Sequence, residues 1–98
     1  MYYHGDGVPQ DYGEAMKWHS KAGEQGNASA QDSLGIMYAE GQGVRQDIVQ
    51  AHMWFDLAAA QGDDKAKENR DEAASEMTPD QIAKAQRLAR EWMAKHQK

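Results

Sequence analysis

Ninety-eight residues make one domain with a modest core, and the lack of cysteine excludes disulfides and thiolate metal sites. A net charge of −5 disfavours nonspecific binding to nucleic acid, while 40% apolar residues with three Trp and four Tyr favour a folded chain over a disordered one. No apolar run approaches the roughly 20 residues of a membrane-spanning helix and none reads as a signal peptide, so the expectation is a soluble chain, cytoplasmic or periplasmic.

The chain opens on the stub of a helix, Met1 to Tyr3, and a loop, Gly5-Asp6-Gly7-Val8-Pro9-Gln10, where Pro9 suits a rigid turn. Asp11 stands as N-cap of a helix predicted over 12–25, which Gly26-Asn27 ends. A second helix is predicted over 28–40, with Ala30, Leu34, Met37 and Tyr38 forming one apolar stripe. Gly35 beside that stripe lets a neighbouring helix approach closely. Gly41 follows the stripe where a left-handed cap suits glycine, Gly43 gives the loop a second permissive position, and Val44 offers an apolar plug. Asp47 caps a helix over 47–61 that carries Ala51, Trp54 and Ala58 on one face and stops at Gly62.

From Asp64 the pattern changes. A helix is predicted over 65–77, and Thr78-Pro79-Asp80-Gln81 then supplies an N-cap threonine, a proline at the first helical position and a glutamine two residues on. The last helix, over 79–96, places Ile82, Ala85, Ala89, Trp92 and His96 on one stripe, widened by Leu88 and Met93. Charge is unevenly distributed. Residues 1–63 hold nine acids against three bases, and from Gln81 onward five bases face one acid, which reads as a solvated helix face.

Laying residues 1–27 over 37–63, an offset of 36, gives twelve identities: Met1/Met37, Tyr2/Tyr38, Gly5/Gly41, Gly7/Gly43, Val8/Val44, Gln10/Gln46, Asp11/Asp47, Ala15/Ala51, Trp18/Trp54, Ala22/Ala58, Gln25/Gln61 and Gly26/Gly62. A fixed period of this size marks a stack of helical hairpins, none of which buries its apolar face alone. The pattern LGxMYxxGxGVxxDxxxAxxWFxxAAxQG from Leu34 to Gly62 resembles the Sel1-like repeat, a relative of the tetratricopeptide repeat. The resemblance implies an all-α fold: a short right-handed α/α superhelix of Sel1-like helical hairpins with a C-terminal helical cap. The chain then divides into an N-terminally incomplete repeat (1–27), a complete repeat (28–63) and diverged capping helices (64–98). It implies a scaffold for protein–protein interaction and no catalytic residue.

The polar candidates in the sequence fit structural roles better than chemical ones. His4, His19, His52 and His96 have no pair at i, i+4 spacing, and His52 with Asp56 suggests a surface hydrogen bond rather than a metal site or catalytic dyad. Asp63 with Asp64, and Asp71 with Glu72, are sequence neighbours that do not face each other from a helix, so they read as caps and surface charges. The Gly-x-Gly loops lack the third glycine and the Lys-Ser/Thr pair of a phosphate cradle, and Asp11 and Asp47 occupy the helix starts that would receive the anion. Ser20, Ser29, Ser33 and Ser75 stand in no S-x-x-K motif, which leaves the lactam-directed activity of some cysteine-rich relatives a remote alternative. The expectation is a non-catalytic adaptor that needs no cofactor and takes an unidentified protein or peptide partner, neither nucleic acid nor membrane. A homo-oligomeric regulatory subunit is the second reading.

The expected core is Tyr2, Ala15, Trp18, Ala22, Leu34, Tyr38, Ala51, Trp54, Ala58 and Ile82. The first unit starts inside a helix, so the helix over 12–25 lacks most of its packing partner, leaving Tyr12 and Trp18 under-covered. That predicts either an upstream repeat or a homodimer through the N-terminal end. Lys17, His19 and Lys21 of the first unit become Met53, Phe55 and Leu57 in the second, a change that predicts the last helix lying across Met53 and Leu57, with Lys84, Arg87 and Arg90 facing solvent.

Overall fold

Local capping chemistry sets the helix boundaries throughout this computed structural model, which describes residues 12–96. The helices are α1 (Tyr12–Glu24), α2 (Ala28–Glu40), α3 (Ile48–Ala60), α4 (Asp64–Ala74) and α5 (Pro79–His96). The stub at Met1–Tyr3, the first Gly-x-Gly loop, Asp11, Tyr2 and His4 lie outside the described residues. Among those described, no helix is long and apolar enough to cross a membrane.

The starts of α2 to α5 are each held by a side chain that takes up an otherwise unpaired backbone N–H. Asn27 accepts from the Ala30 amide at 2.9 Å, Asp47 from Val49 and Gln50 at 3.1 Å each, and Asp63 from Ala66 at 3.0 Å. Thr78 and Gln81 cap reciprocally: the Gln81 amide donates to Thr78 Oγ1 at 3.2 Å, and the Thr78 amide donates to Gln81 Oε1 at 2.9 Å. That box holds Thr78 outside the helix and explains why α4 ends at Ala74 rather than at Met77 as the sequence predicted. The preceding turn tightens, with Glu76 N–H bonded to Ala73 O and Met77 N–H to Ala74 O.

Gly41 closes α2 at φ 71° and ψ 38°, the left-handed cap expected there. Gly41→Ala is therefore expected to cost about 1 kcal/mol, readable in urea denaturation, and an unchanged midpoint would contradict the cap's conformational role.

α3 is the central element, packed on α2, α4 and α5, while α1 packs on α2. One cluster joins Met16, Leu34, Met37, Met53, Trp54, Leu57 and Ala89, with Val44, Leu88 and Trp92 against it. A second joins Ala51, Phe55 and Ala73, and a third, of Ala58, Ala59 and Ala66, is a small-residue seam between α3 and α4. The fold is an all-α solenoid with a C-terminal helical cap.

Of the expected core, Leu34, Ala51, Trp54 and Ala58 are buried, and Ala15, Ala22, Tyr38 and Ile82 are half-buried. Trp18 corrects the list: it is 66% exposed, against its place in the core. Its counterpart Trp54 has α2 on one side and α5 on the other, where Trp92 meets it edge-on at 5.8 Å and 70°. α5 does lie over Met53 and Leu57, and Lys84, Arg87 and Arg90 are exposed. Two details differ. Met93 stays 42% exposed, and Phe55 turns away from α5 to join Ala73 of α4.

Candidate interaction groove

α2 and α4 lie side by side over α3, and the spacing between them is set by residues whose roles are mechanical. Gly35 on α2 has no β-carbon, and one placed there would collide with the Phe55 ring. The ring therefore lies flush under α2 and is buried. Asn69 of α4 donates from Nδ2 to Oδ1 of the buried Asp32 on α2 at 3.0 Å. Arg70 of α4 approaches Asp56 of α3 at 4.0 Å, and Asp56 Oδ2 lies 3.1 Å from His52 Nδ1. His52 is buried, which corrects its expected surface position; its contact with Asp56 lies within α3, one turn apart, and the approach of Arg70 to Asp56 links α3 to α4.

The result is an open groove of about 260 Å³. Ile36 and Ala39 of α2, Ile48 and Phe55 of α3 and Ala73 of α4 make its apolar floor, with Asn69 at one side. Glu40, Glu72 and Glu76 stand on the rim, all exposed, and make no ion pair among the described residues. The volume lies below the roughly 300–1,000 Å³ of pockets that engulf small molecules, and suits a single apolar side chain entering from a partner.

The other sequence candidates are dispersed. His19 sits on α1, His52 inside α3 and His96 at the end of α5, where it stacks on Trp92 at 3.8 Å. Among the described residues no three His, Cys, Asp or Glu side chains converge as metal ligands. Ser20 Oγ contacts Met16 Sδ at 3.3 Å and Ser75 Oγ donates to Glu72 O at 2.6 Å, both local helix contacts. The N-terminus of α3, where a phosphate cradle would work, is filled by the Asp47 carboxylate. The groove itself was not among the sequence expectations. Its signal was Ile36 and Ala39, apolar residues three apart that lie off the Ala30/Leu34/Met37 stripe.

The sequence matches the family model of the Sel1 repeat over residues 1–27 and 28–63. A solved structure, that of c5321, a protective antigen present in uropathogenic Escherichia coli strains and displaying an SLR fold, is similar at 38% sequence identity with a TM-score of 0.86. The match covers 94% of this chain and 20% of that one, so the chain spans about a fifth of the length of the protein it resembles. A search of curated proteins found no match. Sel1 repeats are in general protein–protein interaction modules and typically non-catalytic. With a 36-residue hairpin repeat in its sequence and two Sel1 units recognised within it, the chain belongs to the Sel1 repeat family.

Proposed function

We propose that this chain is a non-catalytic adaptor that docks a segment of a partner protein in the groove between α2 and α4. The observation that carries the reading is a preformed apolar floor held open by fixed contacts, Gly35 on Phe55 and Asn69 on Asp32, so a partner would bind with little rearrangement. A photo-crosslinking side chain in place of half-buried Ala39 is expected to capture a partner in cells of the natural host. The same group at exposed Lys84, on the outer face of α5, is expected not to. Capture at Lys84 alone would overturn the assignment. Exposed Trp18 on α1 favours a second reading, a homodimer through that end, which light scattering of the Trp18→Ala variant beside the parent would test.

A further inference from the structure

We infer that the partner segment is cationic, a lysine- or arginine-bearing peptide with one apolar anchor residue. The inference rests on the docking reading above and adds the chemistry of the partner. It starts from where the groove's acids stand. Glu40 is the last residue of α2, Glu72 lies in the last turn of α4, and Glu76 lies two residues beyond the end of α4. Acids in or just past the last turn of a helix lie toward the negative end of its peptide dipoles and are locally unfavourable. Neither α2 nor α4 has a basic residue in its last turn to offset them. Three carboxylates thus direct negative charge at one apolar cleft with no basic residue in its lining.

The same rim tells against other occupants. No three acids among the described residues are grouped so as to hold a metal ion, and the rim carboxylates come from two different helices and the turn after α4. Arg70 is turned to Asp56 and Asp71, and no lining residue is basic. An acidic or phosphorylated segment would be repelled by the three rim carboxylates. Opposite charges would raise the encounter rate and select the partner, while the floor at Phe55 and Ile36 holds the anchor.

The test uses three short blocked peptides with one central leucine, flanked by lysines, by glutamines or by glutamates, titrated into the protein while the methyl signals of Ile36 and Ala73 are followed by NMR. The lysine peptide is expected to shift both, at least about tenfold more tightly than the glutamine peptide, and the glutamate peptide not to bind. Raising ionic strength from about 0.05 to about 0.5 M should abolish most of that difference. Glu72→Gln with Glu76→Gln should weaken the lysine peptide roughly three- to tenfold while leaving the melting temperature unchanged or raised by about 2–5 °C. That pairing separates lost recognition from lost folding. Equal binding of the glutamine and lysine peptides at those methyls would overturn the cationic preference and leave the docking reading standing. Silence of both methyls with every peptide at millimolar concentration would overturn both. The same shifts on concentrating the protein alone would identify a second copy as the occupant and overturn the peptide.

Discussion

Replacing Trp54 by Ala is expected to lower stability by about 3–5 kcal/mol, whereas replacing Trp18, its counterpart one repeat earlier, should change it by no more than about 0.5 kcal/mol. The two tryptophans share their repeat position, their flanking alanines and their helix face. They differ in what covers them. Trp54 is 7% exposed within a cluster of Leu34, Met37, Leu57 and Ala89 and is met by Trp92, whereas Trp18 is 66% exposed. Truncation at Trp54 removes a large buried side chain from a site whose neighbours come from three helices and cannot all relax inward. Its indole Nε1 is buried with no acceptor among the described residues, and removing that group returns part of the loss. The low end of the range is therefore favoured. A domain of this size holds about 5–15 kcal/mol in all, so the variant should melt well below the parent. Urea denaturation of both variants checks the contrast, and equal losses at the two sites would refute it.

That contrast shows where the sequence was legible. Caps and stops were readable because they are decided within four residues: Asp47, Gly41 and the Thr78/Gln81 box each do what their local chemistry requires. The helical hairpins followed from the repeat, which is itself a local pattern used twice. Burial was less readable, since the repeat equates positions and not neighbours, and Trp18 was placed in the core by analogy with Trp54. Substitution of His19 by Phe55 looked like part of the Met53/Leu57 change. In fact Met53 and Leu57 face α5, and Phe55 faces Gly35 and Ala73. The groove was least readable of all, because its walls come from α2 and α4, which lie in different hairpins. One signal in α5 was available. Ala-x-x-Trp occurs at Ala15–Trp18, at Ala51–Trp54 and again at Ala89–Trp92, 38 residues on, so α5 keeps the core element of a repeat's second helix in a shifted register.

Deleting residues 79–98 is expected to leave a chain that is unfolded or aggregated at room temperature. α5 supplies Ala85, Leu88, Ala89 and Trp92 to the face of α3, and beneath them Met53 and Leu57 are almost fully buried. Returning two such side chains to water costs about 3–5 kcal/mol, before the lost packing on Trp54 is added, and that approaches the whole stability of a small domain. The exposed apolar face would also promote association. A point substitution separates coverage from mere length. Ala89→Asp puts a carboxylate into the closed α3–α5 contact, where it has no described cation to pair with, and should destabilise by several kcal/mol. Lys84→Ala on the outer face of the same helix should be neutral within about 0.5 kcal/mol. Circular dichroism with thermal melting reads all three proteins. A truncated chain as stable and soluble as the parent, or an Ala89→Asp protein that melts with it, would mean that α3 needs no cover from α5, and the Met53/Leu57 stripe would then have to be explained by a second protein chain.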